Sequence, residues 1–156
     1  MHTYVILHNL RSAHNVGSIF RTAEAAGVER IFLTGYTPTP TDRFGRARAD
    51  VAKVALGAEC LVSWERRVHL ASLLARLRRE GVVIVAVEQA PQTQDYRAFG
   101  VRGPTAFIFG NEVRGLSRSL LALADTILEI PMRGRKESLN VSVAAGVILF
   151  SCQGRL

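Results

Sequence analysis

The chain has 156 residues, 48% of them apolar, which is the size of one domain and ample material for a packed core. Its 20 basic and 13 acidic residues leave a formal charge of +7, and no apolar run reaches the ~20 residues of a membrane span. The segment from Met1 to Ser12 lacks the basic start and small-residue cleavage site of a signal peptide, and Cys60 and Cys152 make neither a disulfide framework nor a metal set. These features describe one cytoplasmic domain, residues 1–156, with a charge suited to a polyanion such as nucleic acid. All the basic residues but Lys53 and Lys136 are arginine, so genomic composition is an equally simple source of that charge.

Strand and helix signals alternate along the chain. Tyr4 to Leu7 is a short apolar run with β-branched residues and reads as a strand. From Asn15 to Ala26 the residues Val16, Ile19, Phe20, Ala23 and Ala26 recur at helical spacing, and Gly27 ends the helix. Arg30 to Thr34 is a second strand. Tyr36 to Arg48, with Pro38, Pro40 and several charges, is an exposed loop, followed by a short helix from Ala49 to Leu56. Cys60 to Trp64 is expected to be the third strand. Leu70, Leu73, Leu74 and Leu77 mark a helix that stops at Gly81, and the unbroken apolar run Val82 to Val87 predicts a strand buried on both faces. A polar loop from Gln89 to Gly103 leads to another buried strand, Thr105 to Phe109. Ser117 is placed to cap a helix through Ala124, Thr126 to Ile130 is the last strand, and Ser138 to Cys152 the last helix. The order predicts an α/β fold, a mostly parallel sheet flanked by helices.

Ligands of open parallel sheets bind beyond the carboxyl ends of the strands. Three segments leave such ends rich in polar residues: Leu7 to Asn15, Gly110 to Ser117 and Pro131 to Asn140. There is no G-x-G-x-x-G, P-loop lysine or G-x-S-x-G elbow, and His2, His8, His14 and His69 lack metal-ligand spacing. Hydrolase and metalloenzyme chemistry is therefore disfavoured, and no metal is expected. Each polar residue also has an ordinary structural use. Asn15 can cap the first helix. Arg21 lies about 140° round that helix from Val16, as a solvated partner of Glu24 or, beside the small Gly17, as a guanidinium open to a polyanion. Glu112 can pair with Arg114 or face a ligand, where Gly110 permits close backbone approach. Ser138 can cap the last helix, with Asn140 in its first turn.

Together these segments resemble the three motifs of the SpoU/TrmH branch of the SPOUT (trefoil-knot) methyltransferases. The residues are Asn15-Val16-Gly17-Ser18-Ile19-Phe20-Arg21, then Phe109-Gly110-Asn111-Glu112-Val113-Arg114-Gly115-Leu116-Ser117, then Ile130-Pro131-Met132 with Ser138-Leu139-Asn140-Val141-Ser142. Order and spacing agree from residue 9 to about 150. The resemblance implies methyl transfer from S-adenosylmethionine to a ribose 2′-hydroxyl of tRNA or rRNA. It also implies a deep C-terminal trefoil knot and a homodimer whose active sites combine both subunits. Carried over residue by residue, it assigns Asn15, Arg21, Glu112, Ser138 and Asn140 to the catalytic set. The methyl donor is assigned to Val87, Glu88, Gly110, Ile130, Met132, Ser138 and Leu139, with no motif anchoring Val87 and Glu88. Arg21 matches the residue that acts on the ribose hydroxyl. Because a guanidinium keeps its proton, Arg21 is expected to bind the adjacent phosphate and orient or acidify the hydroxyl; removing the proton itself would need a strongly lowered pKa. Glu112 is expected to position Asn15 or Arg21.

The alternatives are a SPOUT enzyme acting on a base nitrogen and a non-catalytic RNA-binding or ribosome-assembly protein of the same fold. The first and third motifs favour the ribose branch. The chain opens on its first strand and ends after its last helix, so RNA recognition is expected from this domain and its dimer. The residues expected to contact RNA are Arg43, Arg46, Arg48, Arg114, Arg133, Arg135 and Lys136, reading phosphates and shape more than base identity. A tRNA stem-loop is the expected target, with an rRNA hairpin as the alternative.

Overall fold

The central strands are apolar at both odd and even positions, which suits a sheet buried on both faces. The strands are β1 (Thr3–His8), β2 (Arg30–Thr34), β3 (Ser63–Arg67), β4 (Val83–Val87), β5 (Gln94–Asp95), β6 (Thr105–Phe109) and β7 (Thr126–Glu129). The computed structural model describes residues 2–153. The strands form one sheet in the order β3-β2-β1-β6-β4-β7-β5, each neighbouring pair parallel. Val5, Leu7, Val85, Phe107 and Phe109 pack on one face, and Ile6, Ile84, Ala86, Ala106 and Ile108 on the other. The register sets Val85, Phe107, Val5 and Ile31 side by side across four strands, all fully buried.

Among the described residues six α-helices cover the sheet: α1 (Ala13–Ala25), α2 (Ala49–Ala55), α3 (Ala58–Leu61), α4 (Leu70–Arg79), α5 (Arg118–Leu121) and α6 (Val141–Gln153). Val16, Ile19 and Phe20 of α1, Val51 of α2 and Ile148 of α6 pack against the Phe107 face. The Leu70, Leu73, Leu74 and Leu77 stripe of α4 packs against the Ile84 face, with Leu120 and Leu121 of α5 beside it. Each buried leucine contributes about 1.5–3 kcal/mol, so this stripe is what fastens α4 to the sheet. β1 and β6 are neighbours, yet β1 leads into α1 on one face and β6 into α5 on the other. Such a divergence opens a crevice at the carboxyl ends of the two strands.

Several boundaries differ from the sequence reading. Cys60 to Trp64 is not a strand: Gly57, at φ +93°, starts the one-turn helix α3, and the strand begins at Ser63. As an edge strand, β3 is held by pairing to β2 and leaves Ser63, Arg66 and Arg67 exposed, so no apolar run marks it. The polar stretch after β4 contains the short β5 and a 3-10 turn, Tyr96–Ala98. Ser117 caps α5 through Leu120 N–H, but the helix stops at Leu121. α6 starts at Val141, not Ser138. Asn140 provides the cap, its Oδ1 accepting from Ser142 N–H at 2.9 Å and its carbonyl from Ala144 N–H. Ser12, not Asn15, caps α1, accepting from Asn15 N–H at 3.1 Å. Among the described residues no helix is long and apolar enough to cross a membrane.

Candidate functional site

The segments that leave β4, β6 and β7 converge with the starts of α1 and α6 on one cleft of about 410 Å³. This is a common volume for a small-molecule site. Val87, Glu88, Gly110, Ile130, Met132, Ser138 and Leu139 all line it, as do Asn15, Glu112 and Asn140. Ile130 and Met132 arrive from β7, and residues 138–141 return toward α6, closing the cleft opposite the β6 loop.

A line of hydrogen bonds ties the three polar segments together. Asn15, only 7% exposed, donates from Nδ2 to Glu112 Oε1 at 3.2 Å and accepts at Oδ1 from Asn140 Nδ2 at 3.1 Å. The amide orientations are fixed from both ends. An ionised Glu112 can only accept, and the Ser142 N–H facing Asn140 Oδ1 can only donate. Glu112 also accepts from Arg11 N–H at 3.0 Å and Ser12 N–H at 3.0 Å, so its carboxylate pins the end of β1 to the end of β6. Burial alone would raise its pKa, but these backbone donors and Asn15 outweigh it and hold the carboxyl below the usual carboxylate value. The sequence alternative of an ion pair with Arg114 is not formed. The positioning of Asn15 by Glu112 is.

Glu88 works in the same way on the other wall. It accepts from Leu116 N–H at 3.0 Å and Gln89 N–H at 2.9 Å. Gly115, at φ +61°, lies so close that an added Cβ would fall 2.1 Å from Glu88 Oε2. Gly110 faces the returning loop, where a Cβ would sit 2.7 Å from the Gly115 carbonyl carbon. These two glycines let the loop fold back on itself. The glycine reading at 110 therefore concerns loop packing as much as ligand approach.

Two glutamates line the cleft, and no lysine, arginine or histidine does so among the described residues. Arg21 is outside it, exposed on α1, without a hydrogen bond or ion pair to Glu24 or any other described residue. Gly17 does not open a path to Arg21. It is buried under α2, where a Cβ would meet Val51 O at 2.6 Å, so its smallness serves helix packing. Of the expected RNA contacts, Arg46 is paired with Asp42 at 2.8 Å and Arg48 with Asp50 at 2.6 Å, while Arg43 and Arg46 both lie over the exposed Phe44 ring. Arg133, Arg135 and Lys136 are exposed on the segment before α6. No group of three or more residues that could hold a metal occurs among the described residues.

Sequence reasoning missed Asn111, which is 8% exposed and lines the cleft. Its Nδ2 donates to Asn9 O at 2.9 Å and Tyr36 Oη at 3.1 Å, and its Oδ1 accepts from Val113 and Arg114 N–H. The available signal was an Asn directly after Gly110 at a strand end, where a side chain can satisfy turn N–H groups.

Residues 2–150 match the SpoU rRNA Methylase family. A 23S rRNA (guanosine-2′-O-)-methyltransferase of Ralstonia nicotianae is 37% identical over 146 residues, which is 94% of this chain and 56% of that protein. The tRNA (guanosine(18)-2′-O)-methyltransferase of Thermus thermophilus is 36% identical over 154 residues, 96% of this chain and 73% of that protein. The crystal structure of an AdoMet-bound rRNA methyltransferase from Sinorhizobium meliloti superposes with a TM-score of 0.85 at 34% identity, over 96% of this chain and 55% of that one. This chain spans little more than half the length of the Ralstonia and Sinorhizobium proteins.

Proposed function

This chain belongs to the SpoU rRNA methylase family, and from that premise we propose that it transfers a methyl group from S-adenosylmethionine to a ribose 2′-hydroxyl of a tRNA or rRNA. The observation that carries the proposal is the fixed Glu112–Asn15–Asn140 line inside a carboxylate-walled cleft at the strand ends. The donor set fits this methyl donor. Its sulfonium and ammonium are cationic, and the cleft presents two carboxylates without a competing cation. Val87, Phe109, Ile130, Leu139 and Val141 supply apolar wall for the adenosine and methionine carbons. When bound, S-adenosylmethionine supplies a methyl group already activated by sulfur.

The chain's own residues then align the hydroxyl and make it more acidic. Holding donor and hydroxyl in line supplies much of the acceleration in such a displacement. Asn140 keeps one Nδ2 hydrogen free after bonding Asn15. Ser138 makes no hydrogen bond among the described residues, so its hydroxyl is open to donor or ribose. Arg21 acts from a second copy, binding the phosphate and acidifying the hydroxyl, so that the O–CH3 bond forms as the S–CH3 bond breaks and the hydroxyl proton passes to solvent water. Val143 and Phe150, exposed by 51% and 52% on α6, give a second copy an apolar face beside the cleft. The same reading takes residues 1–156 as one cytoplasmic catalytic domain, with the return of residues 130–140 over the sheet as part of a trefoil knot.

The test is incubation with methyl-tritiated S-adenosylmethionine and unmodified tRNA and 23S rRNA transcripts. The expected product carries label in an alkali-resistant dinucleotide. Label in alkali-labile mononucleotides would mark a base-nitrogen methyltransferase. No label, and no calorimetric binding of S-adenosylmethionine, would mark a non-catalytic RNA-binding protein. Near-wild-type turnover in both Arg21→Ala and Arg21→Lys would remove Arg21 from catalysis. Mixing inactive Arg21→Ala and Asn140→Ala proteins should restore roughly a quarter of wild-type activity if sites are shared across a dimer; no restoration would place both residues in one subunit's site.

A further inference from the structure

A second cavity of about 540 Å³ adjoins the cleft, and Asn111 and Val113 line both. Its remaining walls are Arg11, Tyr36 and Arg114. The electrostatics are reversed: two guanidiniums and no carboxylate. Neither Arg11 nor Arg114 has a side-chain hydrogen bond or ion pair among the described residues. By contrast Arg46, Arg48 and Arg97 are each paired with a nearby aspartate.

The same cavity is lined by an aromatic ring that is both exposed and fixed. Tyr36 is 58% exposed. Its N–H donates to Asn9 Oδ1 at 3.2 Å, and its Oη accepts from Asn111 Nδ2 at 3.1 Å. Asn111 cannot rotate to release it, because Asn111 Oδ1 is engaged by two backbone N–H groups. Gly35, at φ +63°, brings the chain so close to Asn9 that a Cβ would lie 1.7 Å from Asn9 Oδ1. No other residue could present Tyr36 from that turn. A ring ordered before binding loses little entropy when a flat ligand stacks on it.

We propose that this cavity seats the nucleotide to be methylated: its base stacks on Tyr36, and Arg11 and Arg114 hold the flanking phosphates. The ribose is then presented to the methyl-donor cleft across the shared Asn111–Val113 edge. The arrangement combines the two elements of single-stranded nucleic-acid binding, a stacking face and cationic phosphate contacts. Its coupling to the cleft is short and runs through hydrogen bonds. The Arg11 N–H is held by Glu112, and the Arg114 N–H by Asn111. The proposal rests on the RNA-methylating reading of the adjoining cleft.

The experiment compares wild type with Tyr36→Leu, Tyr36→Phe, Arg11→Ala and Arg114→Ala, on whichever of the tRNA or 23S rRNA transcripts the wild type methylates. Tyr36→Leu should raise the RNA KM about tenfold, Tyr36→Phe should recover most of that, and S-adenosylmethionine affinity should stay within twofold in both. Arg11→Ala and Arg114→Ala should each lower the slope of log Kd against log salt by about one. If Tyr36→Leu and Tyr36→Phe are equally impaired, or S-adenosylmethionine affinity falls in parallel, Tyr36 only supports the loop and the subsite is overturned. An unchanged RNA KM and salt slope in all variants overturns it as well. A wild type that methylates neither transcript and does not bind S-adenosylmethionine is a different result, which removes the enzymatic reading and the subsite with it.

Discussion

The two cavities that meet at Asn111 and Val113 are built from opposite charges, and they use those charges differently. In the methyl-donor cleft Glu88 and Glu112 each accept from backbone N–H groups and so fix a loop, and neither has a cationic partner among the described residues. In the neighbouring cavity the side chains of Arg11 and Arg114 have no hydrogen-bond or ion-pair partner among the described residues. The carboxylates fix loops while still giving the cleft its negative charge, whereas the arginines are not used inside the protein in this way. In a chain of net charge +7, the proposed function would use this division to bind a cationic methyl donor and a polyanionic acceptor side by side without competing.

The comparison is broken most severely at the glycines of the cleft. Gly115→Ala places a methyl 2.1 Å from the Glu88 carboxylate at a residue of φ +61°. The expected cost is about 2–4 kcal/mol of stability. S-adenosylmethionine affinity should fall at least about a hundredfold by calorimetry, since the displaced loop supplies Gly110, Asn111 and Glu112 to the cleft. Unchanged affinity would exclude the 110–117 loop from the donor site.

Glu112→Gln tests the carboxylate itself. One amide oxygen cannot satisfy Arg11 N–H, Ser12 N–H and Asn15 Nδ2 together, so we expect a loss of about 1.5–3 kcal/mol and a turnover drop of tenfold or more. The pH profile separates this from a general packing loss. The Glu112 carboxyl is held low in the folded state, so its stabilisation is complete above the unfolded value near 4.3 and is lost as pH falls through the lower folded value. Glu112→Gln should flatten that acid limb of a Tm-against-pH curve. His8 gives a second limb: burial lowers its pKa, so below about 6.5 the unfolded chain takes a proton that the folded one resists, and stability declines. An acid limb equally steep in Glu112→Gln would show that the carboxylate is not what the fold needs.

The same contrast explains what was legible in the sequence. β1, β4 and β6 were, because burial on both faces writes itself as an apolar run, and α4 was, because its leucines repeat at helical spacing. β3 was not: an edge strand is held by backbone pairing and carries Arg66 and Arg67 outward. Asn15, Glu112 and Asn140 could be gathered only through the order of three motifs, since partners 97 and 125 residues apart leave no periodic trace. Their geometry was beyond that reading, as was the capping switch that puts Ser12 and Asn140 where Asn15 and Ser138 were expected. Tyr36 was read as part of an exposed loop. Exposure was correct, but the hydrogen bonds that fix it, one at its backbone N–H and one at its ring hydroxyl, come from residues at β-strand ends that only folding brings near.

The smallest expected effect lies at the arginines that are already paired, and it tests whether pairing is what distinguishes the arginines of the second cavity. Arg48 meets Asp50 through two bonds, Nε to Oδ1 at 3.1 Å and Nη2 to Oδ2 at 2.6 Å, and Arg46 meets Asp42. A phosphate must open such a pair before it gains the guanidinium, and the exposed aspartate it leaves repels it. Arg46→Ala and Arg48→Ala should therefore weaken RNA binding less than threefold and change the salt slope by well under one, against about one for Arg114→Ala. Asp42→Asn and Asp50→Asn should move in the opposite direction and tighten RNA binding, because each frees a guanidinium on the 36–48 loop. Filter binding across a salt series reads all of these. If Arg48→Ala costs as much as Arg114→Ala, local pairing does not withdraw an arginine from the RNA. The free state of Arg11 and Arg114 would then cease to mark the second cavity as the place where the nucleotide sits.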